Sequence, residues 1–277
     1  MIAQFALRLT FGMGLMWLLM PRREVTAGFF KIQMRVVMGL CILAALAIGS
    51  TFVSEASVSP WLSPTGARVL CGIAAACAYF GSVFWLYDYR RPGTGVMVPL
   101  VLLAAVVLFA CYPTLPKGAV YIQSHDPTGS VALSLMKLRP EVWLGPVSEF
   151  ASSALLGSSV VAMLLGHWYL TAPTMTTKPL HFLNNCFLGS SILRLIVSLI
   201  GLGLAWPFVG TNTQLIWLSL RWVAGILAPM LLWFMVVRIL KYKNTQSATG
   251  VLYAGVIVTF IGEMTAALLQ TELPCPV

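Results

Sequence analysis

Eight long apolar runs constrain this chain more than any other feature of its sequence. They lie near residues 2–20, 34–53, 66–87, 95–113, 145–170, 182–206, 214–240 and 249–270. Crossing the hydrocarbon core of a bilayer as a helix takes about 20 residues, which is close to the length of each run. Backbone N–H groups find no partner in lipid, so runs of this kind cross as helices. The sequence therefore predicts an all-α integral membrane protein, a bundle of about eight transmembrane helices.

The composition leaves no room for a water-soluble domain. Charged residues make up 9% of the chain and hydrophobic residues 59%, whereas soluble domains carry about 25% charged residues. We therefore expect residues 1–277 to form a single transmembrane helical domain, with the first apolar run retained as a span because no basic segment precedes it and no small-residue cleavage site follows it. The longest extramembrane connection is expected at about 114–144, on the outer side.

The net charge of +9 indicates topology rather than a nucleic-acid partner. Most of the basic residues lie at the ends of apolar runs, where the rules of membrane insertion concentrate them on the cytoplasmic side. They cluster in the odd-numbered connections, at Arg22, Arg23, Lys31, Arg90, Arg91, Lys178, Arg238, Lys241 and Lys243. This pattern predicts that both termini lie outside the cell and that the protein is a multi-pass component of the inner (cytoplasmic) membrane, in contact with its lipids.

Charged side chains inside the predicted spans are the strongest candidates for a site, because a charge in lipid is costly. At about 1.5 Å per residue, Glu149, Arg221 and Glu263 lie on the order of 10 Å below the outer surface, with Arg8 at similar depth and Arg194 near the middle. We predict pairing of Arg221 with Glu263 and of Arg194 with Glu149. Substituting both Arg221 and Glu263 should then rescue the single substitutions. This polar cluster is either a structural network or a proton-conducting or headgroup-binding site.

A second group of polar residues lies at the cytoplasmic end of the fifth and sixth spans. His167, His181, Asn184 and Asn185 could contact a quinone or a lipid headgroup; a satisfied interfacial histidine and ordinary helix capping are the alternatives. A haem held by two histidines needs both at matched depth within the membrane. His167 and His181 would both lie at the surface, so an intramembrane haem is not expected.

Familiar catalytic and metal-binding motifs are missing from the sequence. There is no Walker A loop, HExxH, GxSxG or Gly-rich dinucleotide fingerprint. The six cysteines form no CxxC pair and have no histidine at zinc spacing. We therefore predict no metal site and a protein that is not catalytic by itself.

The favoured functional hypothesis is a membrane subunit of a respiratory or photosynthetic electron-transfer complex. Such a subunit would anchor other proteins that carry redox cofactors and could contribute a quinone pocket or a proton path. Many apolar helices without a soluble catalytic head suit this role. The cofactor is undetermined from sequence, with quinone or bound lipid as the candidates.

The alternative hypothesis is a small-solute or lipid transporter built on a weak inverted repeat. Leu7-Arg8-Leu9 echoes Leu193-Arg194-Leu195, and Arg35 and Arg221 have the same separation. The first three helices would then repeat as the last three in inverted orientation, although chance similarity of Leu-rich helices is the preferred interpretation. The helices are expected to be mostly uninterrupted, with Pro146 and Pro229 inside spans, which disfavours discontinuous binding helices.

Overall fold

The computed structural model describes residues 2–51, 62–111, 140–172, 175–206, 209–273 and 276. Among these residues, eight helices are long and apolar enough to cross a membrane, and this number agrees with the sequence-based expectation. Most of the predicted outer connection at 114–144 lies outside the described residues.

The eight helices are numbered here in chain order. They are α1 (Ile2–Leu19), α2 (Ala27–Thr51), α3 (Pro64–Leu86), α4 (Arg90–Ala110), α5 (Pro140–Trp168), α6 (Lys178–Ala205), α7 (Asn212–Lys241) and α8 (Thr245–Glu272). Helices α2, α4, α5, α6 and α8 begin four to seven residues earlier than expected. Hydropathy marks only the apolar part of a helix, whereas polar first turns with long side chains reach back to the interface and remain helical.

Local capping residues set where several helices begin. Ser63 accepts a hydrogen bond from the Gly66 N–H at the start of α3. Thr211 and Gln214 form a reciprocal capping box at the start of α7, and Asn244 caps α8. Each cap satisfies a backbone donor that the first helical turn leaves unpaired.

Helix α7 is continuous over the span but contains a π-helical turn near its middle. Residues Val223–Leu227 form a π-helical turn, in which the Ala228 N–H donates to the carbonyl of Val223, five residues back. Pro229 has no N–H and cannot bond to the carbonyl of Gly225, so the wider turn falls where the α-helical ladder is already broken. Prolines also lie inside α4 and α5, at Pro99 and Pro146.

The helices pack as two rings of four. In the first half, α1 to α4, each helix contacts the next and α4 returns to α1; in the second half, α5 to α8, α8 returns to α5. The halves meet chiefly where α1 packs against α5. These two helices run parallel, since Arg8 contacts Glu149 and Gly12 contacts Gly157. The weak sequence repeat predicted a repeating unit of three helices. The helices instead pack as two groups of four.

The contact between α1 and α5, called here the glycine seam, brings two backbones together. A Cβ atom on Gly12 would lie 1.8 Å from the Ser153 carbonyl oxygen, and one on Gly157 would lie 2.1 Å from the Gly12 carbonyl carbon. Small residues permit this approach in membrane helices. About 67% of the α1 span and 78% of the α5 span are buried, against 33–39% for the others, so α1 and α5 lie at the centre of the bundle.

The bundle has two chemically different ends. The basic face carries the connections 20–26, 87–89, 169–177 and 242–244, and the terminal face carries the start of α1 and the end of α8. Placement of the basic face toward the cytoplasm, with both termini outside, stays a prediction from the charge distribution.

Candidate functional site

All five charged residues of the predicted polar cluster lie nearer the terminal face than the basic face. They are six to eleven residues from the helix ends at that face, or about 9–17 Å at 1.5 Å per residue. None of the five is more than 4% exposed. They are Arg8, Glu149, Arg194, Arg221 and Glu263. Removed from water by the surrounding helices, each charge depends on its protein partners.

The Arg8–Glu149 pair joins α1 to α5 beside the glycine seam. Arg8 donates from Nε to Glu149 Oε2 at 2.6 Å and from Nη2 to Oε1 of the same carboxylate. Gln4, one turn earlier on α1, donates to Oε1 at 2.9 Å. A two-pronged fork of this kind fixes direction as well as distance. The pair therefore ties the two halves of the bundle together.

A triad of Arg194, Glu263 and Arg221 lies within the second half. Arg194 donates from Nε to Glu263 Oε1 at 3.0 Å, and Arg221 donates from Nη1 to the same oxygen at 3.1 Å. Serine hydroxyls accept further bonds, from Arg194 Nη1 to Ser148 at 2.7 Å and from Arg221 Nη2 to Ser198 at 3.3 Å. These contacts link all four helices of the second half through one buried polar centre.

The triad carries one more positive charge than negative. Two guanidinium groups share one carboxylate, and all three side chains are at most 3% exposed. The Nε of Arg221 has no hydrogen-bond partner, and neither has the hydroxyl of Thr259, one turn from Glu263 on α8. Unbalanced charge and open donors are costly in a medium of low dielectric constant. An anion at this place would remove both costs.

The π turn of α7 begins two residues after Arg221 and shapes the room around its guanidinium. A Cβ on Gly225 would lie 2.5 Å from Arg221 Nη1 and 2.8 Å from the Gly262 Cα. A Cβ on Gly262 would lie 2.1 Å from the Gly225 Cα. The two glycines thus let α7 and α8 approach while Arg221 occupies the space between them. Single π turns recur at functional sites.

One of the two predicted ion pairs is present and the other is wrong. Arg221 contacts Glu263 as expected. Arg194 contacts Glu263 rather than Glu149, because Glu149 faces α1 and is held by Arg8. Ser148, the residue before Glu149, faces α6 and bonds to Arg194 instead. Equal depth in the membrane did not reveal which way each side chain points around its helix axis.

The predicted quinone or headgroup contact is not assembled as one cluster. His167 is exposed and lies edge-on to Tyr253, with ring centroids 6.4 Å apart. His181 is half-buried, and no hydrogen bond joins it to His167 within the described part of the chain.

Asn184 and Asn185, from the same predicted group, differ in environment. Asn184 is fully buried and donates to the Trp233 carbonyl at 3.4 Å, whereas Asn185 is exposed. Neighbouring residues of a helix point about 100° apart, so adjacency in sequence did not place these amides together. Their proposed contact with quinone or lipid remains a prediction.

Sequence reasoning missed the hydroxyl groups that complete the centre. Ser148 accepts a hydrogen bond from Arg194 and Ser198 accepts one from Arg221, and neither serine belongs to the predicted cluster. Ser198 lies one helical turn after Arg194, a spacing that places both on one face of α6. That spacing is the signal by which it could have been found.

Comparisons with known proteins identify no relative. No protein-family model matches the chain, and no curated protein or solved structure matches it either. The role of the buried centre is therefore inferred from its own residues and contacts.

Proposed function

We propose that this chain is a multi-pass transporter of the cytoplasmic membrane whose solute is a compact monovalent anion, bound against Arg194 and Arg221. One observation carries the proposal: two buried guanidinium groups share the single carboxylate of Glu263. The eight membrane-length helices and the basic residues at one face support its placement in a membrane with both termini outside.

Charge balance argues for a monovalent anion. With Glu263 ionised between two arginines, the triad lacks one negative charge. Burial of a lone charge costs several kcal/mol even after relaxation. A bound anion with one negative charge offsets this cost, whereas a neutral solute would not.

Hydrogen-bond geometry argues for a small acceptor. The open donor is the Nε of Arg221, with the Thr259 hydroxyl nearby on α8. Guanidinium groups bind carboxylates and oxyanions through parallel N–H groups. Halide, nitrate or a short carboxylate matches this chemistry, because each accepts several hydrogen bonds in little space.

The π turn supports movement of α7 during transport. Its backbone hydrogen bonds are already displaced from the α-helical pattern, so a shift of the flanking segments breaks fewer bonds than in a regular helix. Arg221, two residues before the turn, would move with the first segment. Glu263 then keeps the guanidinium groups oriented when no solute is bound.

The expectation of an electron-transfer subunit remains a prediction. None of the contacts described above favours it over transport. That hypothesis also includes redox-protein partners, a quinone and a proton path. Co-purification of redox subunits with the chain would support it.

Anion flux in proteoliposomes tests the proposal. Vesicles holding the purified protein are loaded in turn with labelled chloride, nitrate or acetate, and efflux is timed against empty vesicles. We expect protein-dependent efflux of at least one anion. Arg221→Lys, which keeps the charge but removes Nε and the planar fork, should slow that efflux about tenfold or more, in line with loss of a charge-assisted contact.

Arg238→Lys is the matched control, because Arg238 is a cation of α7 that stacks on Phe234 outside the triad. It should leave efflux unchanged. Efflux of none of the three anions, or equal rates for Arg221→Lys and the unmodified protein, would contradict the proposal. Mass spectrometry and an optical spectrum of the same preparation address the other hypothesis: co-purified haem or iron–sulfur subunits would favour the electron-transfer role.

A further inference from the structure

A separate pocket opens at the basic face of the first half. Its volume is about 740 Å³. The end of α1, the short helical turn Arg22–Glu24, Trp85 of α3 and the start of α4 line it. The charged lining residues are four arginines and one glutamate, so the lining is strongly cationic. They are Arg22, Arg23, Arg90, Arg91 and Glu24.

The one carboxylate in the pocket lining, that of Glu24, contacts residues of the second half. Glu24 accepts a hydrogen bond from the Thr176 hydroxyl and lies 4.0 Å from Lys178 Nζ, both in the second half. Among the described residues, Arg22 and Arg91 form no ion pair. Arg90 pairs with Asp88 at 3.2 Å, with both side chains largely exposed to solvent. Most of the positive charge is thus available to a ligand.

Trp85 forms part of the pocket wall with its indole ring. Its side chain is 2% exposed and its indole N–H has no partner. Stacking on Phe30, with ring centroids 4.5 Å apart, holds the ring in place. Gly93 of α4 packs closely against the ring, since a Cβ there would lie 2.9 Å from Nε1.

We propose that this pocket binds the phosphate group of an anionic phospholipid. Phosphate oxygens accept charge-assisted hydrogen bonds from guanidinium N–H groups, and four arginines line this pocket. The pocket lies level with the helix ends, where headgroups lie in a spanning protein. Leu86, Tyr87 and Tyr89 beside it are 50–65% exposed, an apolar and aromatic border suited to acyl chains. This site is independent of the proposed anion transport.

Lipid titration followed by native mass spectrometry tests the site. The purified protein is titrated with phosphatidylglycerol and, separately, with phosphatidylcholine. We expect phosphatidylglycerol to bind more tightly. The double variant Arg22→Gln with Arg91→Gln should weaken it about 30-fold, since each basic side chain near an anionic lipid contributes about fivefold. Arg22→Lys with Arg91→Lys keeps the charge and should retain most of the affinity.

The control removes two charges from the same face of the second half, by Arg238→Gln with Lys241→Gln. These residues lie in the last turn of α7, and their loss should change affinity less than threefold. If both double variants weakened phosphatidylglycerol binding equally, the binding would reflect general electrostatic attraction to the basic face rather than the pocket. Equal binding of the two lipids, or displacement of phosphatidylglycerol by equimolar inorganic phosphate, would overturn the assignment to a lipid. Unchanged melting temperatures verify that the variants are folded.

Discussion

The two halves of the bundle have similar helix connectivity, but buried hydroxyl and charged side chains are concentrated in the second half. In the first half, large apolar groups occupy the interior, among them Met13, Trp17, Phe29, Phe30 and Met34. In the second half, serine hydroxyls and the charged triad lie between the helices. Both halves expose apolar side chains outward, so a lipid-facing surface is compatible with either interior.

This difference indicates a division of labour. Apolar packing tolerates substitution by residues of similar volume, whereas a buried polar network is stable only when every member keeps its partner. The first half therefore acts as support: Arg8 at the seam is its one buried charge among the described residues, and four of its arginines line the pocket at the basic face. The second half has its charged triad in the interior. There the ion pairs are strong, and substitution of any member is expected to be costly.

The largest expected effect comes from removing the carboxylate of the triad. Glu263→Gln leaves Arg194 and Arg221 buried without a counter-charge and should lower the free energy of unfolding by about 3–5 kcal/mol. Glu149→Gln is the matched change at the seam. It removes the carboxylate partner of only one arginine, Arg8, and should lower the free energy of unfolding by a smaller amount. Chemical unfolding in detergent measures both, and equal losses would remove the distinction between triad and pair.

The triad also changes the expected rescue. From sequence, substitution of both Arg221 and Glu263 should be nearly neutral, because the two were treated as an isolated pair. Arg194 also depends on Glu263, so that double variant leaves one buried cation alone. Only the triple variant, with Arg194→Met added, should approach the stability of the unmodified protein.

A smaller effect is expected at the glycine seam. Gly12→Ala places a methyl group 1.8 Å from the Ser153 carbonyl oxygen, so α1 and α5 must separate. We expect a loss of about 1–3 kcal/mol, as for other overpacked contacts. Gly39→Ala in α2 is the control, since a Cβ there meets nothing within 4 Å. If both variants melt at the same temperature, the halves are not held by close backbone contact.

The smallest effect concerns the basic face, where α5 ends. Burial raises the pKa of Tyr169 to about 12, and its hydroxyl donates to the Thr176 carbonyl. The unfolded chain loses this proton near pH 10, so the stabilisation is complete below pH 10 and falls as pH rises toward 12. At pH 11 the loss is about 1 kcal/mol.

Unfolding at pH 9 and pH 11 measures this contribution. Tyr169→Phe should lose less stability over that interval than the unmodified protein. Tyr87→Phe, at an exposed position, should behave like the unmodified protein. An identical pH response of all three proteins would show that the end of α5 is open to solvent, unlike the tightly packed interior of the second half.

Much of the architecture could be predicted without coordinates. Apolar length predicted the number of helices, because the bilayer thickness sets how many residues a span needs. The depth of Arg221 and Glu263 predicted their contact, since rise per residue converts sequence position into depth. In each case a one-dimensional property of the chain determined the outcome.

What the sequence by itself determined is therefore how many helices form and how deep each charge lies. Only the tertiary structure decided which helix faces which. It placed Arg8 rather than Arg194 against Glu149, joined two arginines to one carboxylate, and brought the arginines of the first and third connections to one pocket. The rotation of a helix about its axis depends on close contact with its neighbours, and in lipid, where every outward face can be apolar, hydropathy carries little information about that rotation.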